Sequence, residues 1–482
     1  MFLGIVSSVM GQRVLGVQWE APGDYGTASK QLEAFQQSGI SILEVNEKLS
    51  PDILKEIQQK GFSLFVNTPF KFLTIRDLST DSTFLQVNNE YIDYYRPYTP
   101  NLVRAFGLFS YGQTDSPDFL NEIISVQEQL KAQTSAYLYY TTIPGIYEPR
   151  SDVADFKLFR INESTQQLNG NAAGYIYLPR RPGDIKLRDF KSIMDLTSAY
   201  PKKPVFLDAN WLLHNINSHP RLPGILMQYT TEQEAVFSIP APEASPVDPN
   251  WIVLFLVLVW GSFAVHYSFV PIYHKSLTRY FLMHHFFVED IMEWRIRTTW
   301  PGVYILLQNA VLGGICIYAF VKKFYSPLGL EALYHHYPIL GIFGQWPITL
   351  LFIGFFMVLA FEIICVLWLY FLNTTVKHLS QIIILYSWPL QLNLISVTVL
   401  TTLILAKSDS KIIYFLGFLY FFILFSSFYI TAVDTSNFIR GRKDWFLLGS
   451  VGLQLVLIII TGILIYQTTS FIDVIDLALL LH

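Results

Sequence analysis

Cysteine is nearly absent from this sequence. The 482 residues contain only Cys316 and Cys365, and both lie within apolar runs. The first 250 residues hold none, so no disulfide can support their fold and a hydrophobic core must do so. A basic excess is also missing, because this half has 21 Lys and Arg against 27 Asp and Glu, and the remainder has 12 against 10. Nucleic-acid-binding domains carry clustered positive charge, so we predict no nucleic-acid partner.

Long apolar runs are missing between residues 13 and 250 and are frequent afterwards. Residues 251–273 carry no formal charge and are long enough to cross a bilayer as one helix. Five further runs predict a six-helix transmembrane bundle with lipid as its surroundings: 302–321, 348–372, 379–405, 412–433 and 445–466. Between the first two runs, residues 276–297 repeat apolar side chains at helical spacing, which predicts an amphipathic helix in the membrane interface.

The remaining segments carry weaker signals. Residues 1–12 are apolar with small side chains but lack a basic start, so we interpret them as the remnant of a signal peptide, with an ordinary first strand as the alternative. Residues 237–250 hold four prolines and predict an extended linker. Residues 467–482 form a tail.

Basic residues in the loops predict the orientation of the bundle. If residues 13–236 lie outside, eight Lys and Arg fall in inner loops and four in outer loops. Because cytoplasmic loops are enriched in basic residues, we expect an integral protein of the cytoplasmic membrane whose N-terminal domain is periplasmic or otherwise extracytoplasmic.

Within residues 13–236, short apolar runs alternate with amphipathic stretches, which is typical of βα units around a parallel sheet. Eight strands are predicted, at 13–19, 41–45, 62–68, 103–110, 136–142, 155–161, 174–179 and 204–209. This count favours a small TIM-barrel-like (β/α)8 fold. An open doubly wound sheet is the main alternative, but QWEAPGDYG follows the first strand in place of a Gly-rich phosphate turn.

The opening units LGVQW, GISILEVN and GFSLFVNTP, separated by helices, resemble those of glycoside-hydrolase-type barrels. The resemblance covers about residues 13–210. It implies a catalytic glutamate at the end of the fourth strand and another at the end of the seventh. Here those strands end in Ser110-Tyr111-Gly112-Gln113 and Leu178-Pro179-Arg180-Arg181. The resemblance therefore implies a barrel without the usual catalytic pair.

Other polar and aromatic residues follow the predicted strands, on the face where a barrel builds its sites. The candidate catalytic carboxylates are Glu20, Glu47, Asp115 and Asp208, and solvated loop acids are the alternative interpretation. The candidate substrate-binding residues are Trp19, Tyr111, Tyr140, Tyr177, Arg180 and Trp211. The five aromatic rings among them could stack on a sugar or merely close the barrel mouth.

Two features interrupt the apolar runs of the bundle. Glu362 lies in the middle of VLAFEIICV, where a carboxylate is energetically costly. Pro389, Gln391 and Asn393 break the fourth run at SWPLQLN, as in the discontinuous helices that line transport sites. A hydrogen-bonded glutamate and a simple proline kink are the alternative.

We predict no cofactor and no metal. His285, Glu289 and Glu293 share a helix face, but surface helices routinely repeat charges at this spacing. The leading hypothesis is a membrane-anchored extracytoplasmic barrel that binds an envelope glycan or envelope protein. The alternatives are an active glycoside hydrolase with displaced carboxylates and a transporter with an accessory barrel.

Overall fold

The computed structural model describes residues 13–79, 83–144, 146, 153–161, 172–177, 203–231, 251–342, 344, 348–406, 408–439, 441–467 and 469–481. The predicted signal-peptide remnant, the proline-rich linker and Arg180 lie outside the described residues. The chain divides into two compact units, residues 1–245 with 473–481 and residues 246–472. Each is described by itself.

The first unit is a closed barrel of eight parallel strands, which confirms the predicted fold class. Each strand pairs with its neighbours along the chain, and β1 closes the barrel by pairing with β8, so that Leu15 lies opposite Val205 and Gln18 opposite Asp208. The strands are β1 Leu15–Gln18, β2 Ile40–Val45, β3 Ser63–Asn67, β4 Val103–Gly107, β5 Tyr137–Thr142, β6 Phe156–Ile161, β7 Gly174–Tyr177 and β8 Val205–Asp208.

Local signals determine where the surrounding helices begin and end. Ser50 and Ser116 each accept a hydrogen bond from a backbone N–H of the first helical turn, and each is followed by proline at the first helical position. Gly39 and Gly61 follow helices with φ of +73° and +78°, a conformation that favours glycine. The main described helices of this unit are Tyr25–Gln37, Pro51–Gln59, Thr83–Tyr95, Pro117–Lys131, Ala209–Ser218 and Leu222–Thr230.

Side chains alternate between the inside and the outside of the barrel wall. The outward set packs against the helices in a large apolar core that includes Leu43 and Val66. The inward set forms a separate aromatic-rich core, in which Phe65, Phe156 and Phe206 are in contact. The barrel interior is therefore filled with side chains below its carboxyl end.

The C-terminal helix, Thr469–Leu480, contributes its last part to the barrel unit. Val474, Leu477 and Ala478 are buried, and the Nε2 of Gln113 donates a hydrogen bond to the Asp473 carbonyl oxygen at 2.9 Å. The barrel unit is thus built from two separate stretches of sequence.

The second unit contains six helices that are long and apolar enough to cross a membrane. We refer to them in chain order as the first to sixth spans: Trp251–Phe269, Trp300–Phe324, Thr349–Leu372, Leu379–Leu405, Ser410–Ser436 and Lys443–Gln467. The second and fourth spans have 67% and 72% of their most apolar stretches buried, against 11% for the first and sixth. The second and fourth spans therefore form the centre of the bundle.

Short helices and close crossings complete this unit. Two helices, Pro271–Leu282 and His284–Met292, lie between the first and second spans and overlap residues 276–297, which were predicted to form one amphipathic helix. Gly314 and Gly354 let the second and third spans approach closely, because a Cβ at Gly314 would lie 2.4 Å from the Leu351 carbonyl oxygen.

Candidate functional site

A cavity of about 490 Å³ opens at the carboxyl ends of the barrel strands. Amide and hydroxyl side chains dominate its wall, together with two carboxylates, one lysine and two aromatic rings. The lining residues are Gln18, Trp19, Glu20, Asn46, Asn67, Thr68, Pro69, Lys71, Ser110, Tyr111, Thr141, Ile176, Asp208 and Asn210. Such a wall offers many hydrogen-bond donors and acceptors and little net charge.

The two-residue alternation of the strands places the polar residues at the cavity floor. Gln18, Asn67 and Asp208 end their strands at inward positions, two residues beyond inward residues that fill the barrel, such as Phe65 and Phe206. The last inward layer is therefore polar, while the layer beneath it is apolar.

Four predicted site residues line this cavity: Glu20, Asp208, Trp19 and Tyr111. Glu20 is exposed. The Asp208 carboxylate accepts a hydrogen bond from the Trp211 backbone N–H at 2.7 Å and so also caps the helix that follows β8.

The two aromatic rings of the cavity wall are held by polar contacts. The Trp19 Nε1 donates to Gln31 Oε1 at 2.7 Å. The Tyr111 hydroxyl accepts a hydrogen bond from Arg160 Nη1 at 2.9 Å, and its ring stacks on Phe72 with centroids 5.6 Å apart. These contacts fix the orientation of both rings before any ligand binds.

Two predicted carboxylates are placed elsewhere. Glu47 accepts a hydrogen bond from the Ala21 backbone N–H at 2.7 Å. Asp115 is exposed and lies near Asp476 of the C-terminal helix, where its charge raises the pKa of Asp476 in addition to the larger effect of burial. Neither residue is part of the cavity wall.

Three predicted aromatic residues lie on the outer side of the barrel wall. Tyr140 is buried and stacks on Phe109 at 5.3 Å between centroids. The rings of Tyr177 and Trp211 meet edge to face at 6.5 Å. Tyr140 and Tyr177 come directly after the inward residues Tyr139 and Ile176, so their side chains point to the opposite face and pack toward the helices. Trp211 follows β8 and belongs to the same outer core.

Glu44 of β2 is a buried carboxyl that the sequence interpretation missed. Only 1% of its surface is exposed. One carboxyl oxygen accepts a hydrogen bond from the Tyr139 hydroxyl at 2.6 Å and the other from Gln18 Nε2, also at 2.6 Å. Burial raises the pKa of Glu44 above its ordinary value, although these two hydrogen bonds oppose the change. A glutamate inside the strand SILEV was the available signal, since strands are depleted in glutamate.

Asn67 presents an unused acceptor at the cavity. Its Nδ2 donates to Ser110 Oγ at 3.2 Å, while its Oδ1 is buried and has no hydrogen-bond partner. Gly107 of the neighbouring strand makes room for this oxygen, because a Cβ there would lie 2.4 Å from it. A buried unpaired carbonyl costs about 1–3 kcal/mol, so a ligand that donates to it would recover that energy.

The intramembrane candidates occupy the centre of the bundle. Glu362 of the third span and Asn393 of the fourth both contact Asn309 of the second. The fourth span consists of two helices, Leu379–Leu390 and Leu392–Leu405, which meet at Gln391 just after Pro389. The predicted break and the predicted buried carboxylate therefore lie in the same part of the bundle.

Comparison with known proteins gives distant similarity in fold. No protein-family model matches the sequence, and no curated protein matches it. The barrel is similar to barrel domains of glycoside hydrolases. A β-glucuronidase from Ruminococcus gnavus in complex with C6-substituted uronic isofagomine shows 11% identity and a TM-score of 0.33, over 41% of this chain and 42% of that one. A GH2 β-galacturonidase from Eisenbergiella tayi bound to galacturonate shows 9% identity and a TM-score of 0.36, over 47% and 52%. The matches thus span about half or less of either chain and concern the fold alone.

Proposed function

We propose that this protein binds a neutral or weakly charged carbohydrate in the cavity at the carboxyl end of its barrel, and that the six spans anchor the barrel to a membrane. The observation that carries the proposal is the wall of amides and hydroxyls around the unpaired Asn67 Oδ1. Sugar hydroxyls both donate and accept hydrogen bonds, as do the side chains of this wall. The volume of the cavity falls within the range of about 300–1,000 Å³ that is usual for small-ligand sites.

The charge of the cavity favours this ligand class. Glu20 and Asp208 are opposed by Lys71 alone among the cavity residues, so the wall does not favour phosphates or other anions. A concave polar cavity also suits a small ligand better than the flat surface of a protein partner. An envelope glycan combines these properties with the orientation that the loop charges favour, in which the barrel is extracytoplasmic.

A binding experiment on the full chain in detergent tests this function. Calorimetric titration with envelope oligosaccharides should detect a ligand, and Asn67→Ala should weaken its binding about 5- to 100-fold, the effect of losing one buried polar contact. Asn101→Ala changes the same residue type at an exposed position before β4 and serves as the control. Failure of every oligosaccharide to bind, or equal affinity of the Asn67 variant, would contradict the proposal.

Hydrolysis of the bound sugar is a second candidate function, because Glu20 and Asp208 line the same cavity. A glycosidase needs two carboxyl groups about 5–10 Å apart across the scissile bond. Aryl glycosides should then release their phenol, and Glu20→Gln or Asp208→Asn should each abolish release. Asparagine also caps helices well, so the second variant keeps the fold of the following helix. If the sugar binds but is not hydrolysed, the hydrolase hypothesis is rejected and the barrel is a carbohydrate-binding domain alone.

A further inference from the structure

Five polar side chains form a buried cluster in the middle of the bundle, which we call the central polar cluster: Gln308, Asn309, Glu362, Gln391 and Asn393. Asn309 Nδ2 donates to Glu362 Oε1 at 2.8 Å, and Asn393 Nδ2 donates to Asn309 Oδ1 at 2.8 Å. Gln391 Nε2 donates to Gln308 Oε1 at 3.3 Å. The cluster joins the second, third and fourth spans near their midpoints.

Two acceptor atoms of this cluster lack partners. Glu362 Oε2 and Asn393 Oδ1 are buried and make no hydrogen bond, and both residues are fully buried. The same amide, Asn309, holds both residues by their other atoms. In an apolar interior such atoms are unfavourable unless something that donates a hydrogen bond or carries positive charge lies beside them.

No cationic side chain of the described residues compensates the Glu362 charge. The amide of Asn309 is the group that stabilises it. Its titratable neighbours are Tyr386 of the fourth span, Tyr420 of the fifth and Cys365 of the same helix, and a phenol or thiol carries no positive charge in either protonation state. A water molecule could satisfy both free acceptors but would leave any negative charge on the carboxylate, which only a bound proton or another cation neutralises.

A polar route leads from the cluster toward one end of the spans. Pro389 has no N–H and lies just before the break in the fourth span at Gln391. Gln391 Oε1 accepts a hydrogen bond from the Tyr273 hydroxyl at 3.0 Å, and Tyr273 lies beyond the first span in the helix Pro271–Leu282. Two titratable groups lie beside this end of the route, Tyr304 at 5.8 Å and His266 at 6.3 Å from Tyr273 between ring centroids.

We propose that the central polar cluster binds one small monovalent cation, either a proton or an alkali-metal ion, between Glu362 Oε2 and Asn393 Oδ1. Asn309 is a positioning residue that fixes the two ligands, and the Tyr273–Gln391 contact marks the path of exchange. The bundle then binds a cation in addition to anchoring the barrel. This site does not depend on the carbohydrate proposed for the barrel.

Thermal unfolding of the full chain in detergent tests the site. One series replaces choline chloride with NaCl or KCl at constant pH and ionic strength, and another lowers the pH from 8.5 to 5 in choline chloride. A bound alkali ion raises the wild-type midpoint saturably in the first series, whereas a bound proton raises it in the second alone. The response to an alkali ion should vanish in Glu362→Gln, and the response to pH should be smaller than that of the wild type by the contribution of this one carboxyl. The half-saturating concentration of the active cation should rise at least tenfold in Asn393→Ala.

The control is a glutamate outside the spans, and chemical labelling of Glu362 replaces the variant if it does not fold. Glu289→Gln changes a half-exposed glutamate outside the spans and should respond as the wild type does. Equal responses of wild type and Glu362→Gln to every ion and pH would overturn the proposal. If Glu362→Gln does not fold, carbodiimide labelling of the wild-type chain replaces it, because this reagent modifies protonated carboxyls in apolar surroundings. Labelling that Na⁺ suppresses indicates the alkali ion, labelling that responds to pH alone indicates the proton, and no labelling of Glu362 at any pH overturns both.

Discussion

Replacing Glu44 with glutamine should change how the stability of the barrel depends on pH. The folded-state pKa of Glu44 is raised by burial, so the folded barrel holds a proton on this carboxyl more tightly than the unfolded chain does. The stabilising contribution is then fully present below the ordinary pKa, about 4.3, and is lost as the pH rises through the raised folded value. Glu44→Gln cannot ionise and should lack this loss.

The size of the effect follows from the two hydrogen bonds of the carboxyl. Glutamine can accept from the Tyr139 hydroxyl, and a flip of the Gln18 amide restores the second bond, so this variant should lose less than about 1 kcal/mol at acidic pH. Between the ordinary pKa and the raised folded pKa the wild-type barrel loses up to about 1.4 kcal/mol per pH unit from this one group, and above the folded pKa it loses no more. Glu44→Ala should lose about 2–4 kcal/mol at all pH values, because the fully buried Tyr139 hydroxyl is left without its acceptor.

Hydrogen exchange measured by mass spectrometry on the full chain in detergent can detect these differences. Peptides that cover β2 and β5 are compared between wild type and variant at each pH, so the intrinsic pH dependence of exchange cancels. A tenfold change in protection corresponds to about 1.4 kcal/mol. Glu90→Gln, an exposed glutamate paired with Lys48, is the control and should match the wild type. If wild type and Glu44→Gln keep a constant ratio of protection from pH 4 to 8, the assigned titration of Glu44 is refuted.

Three further predictions concern the helices. Gly314→Val should reduce bundle stability by about 1–3 kcal/mol, because its Cβ meets the Leu351 carbonyl, whereas Gly261→Val, with no atom within 4 Å, should be tolerated in size-exclusion and thermal assays. Burial raises the pKa values of Asp473 and Asp476, so the C-terminal helix should bind the barrel best below pH 4 and be digested faster by protease as the pH rises, with a smaller dependence in Asp476→Asn. Topology reporters after residues 330 and 482 should lie on the same side as the barrel and one at 441 on the opposite side, and the reverse pattern at 482 would exclude six crossings.

The barrel was predictable because each strand carries its own signal. Apolar runs of five to eight residues, separated by capped helices such as the one that begins at Pro51, gave all eight strands at nearly their observed positions. The six spans followed from length and apolar content in the same way. These features depend on local patterns that need no knowledge of packing.

The composition of the site was less predictable, because it depends on which face of a strand each residue occupies. Tyr139 and Tyr140 are adjacent in sequence, yet one lies inside the barrel on Glu44 and the other outside on Phe109. Strand ends alone do not distinguish these directions, and a shift of one residue exchanges them. The unpaired oxygen of Asn67 could not be predicted from its own strand, because it occupies the space that Gly107 leaves on the neighbouring strand.

The return of residues 473–481 to the barrel has a consequence for how the protein is made. A ribosome synthesises this segment after all six spans, so the surface that buries Val474, Leu477 and Ala478 stays uncovered throughout the synthesis of the bundle. A nascent chain arrested before residue 473 would therefore expose an apolar strip on its finished barrel, a suitable ligand for a holding chaperone. Completion of the barrel therefore follows the synthesis of the last span.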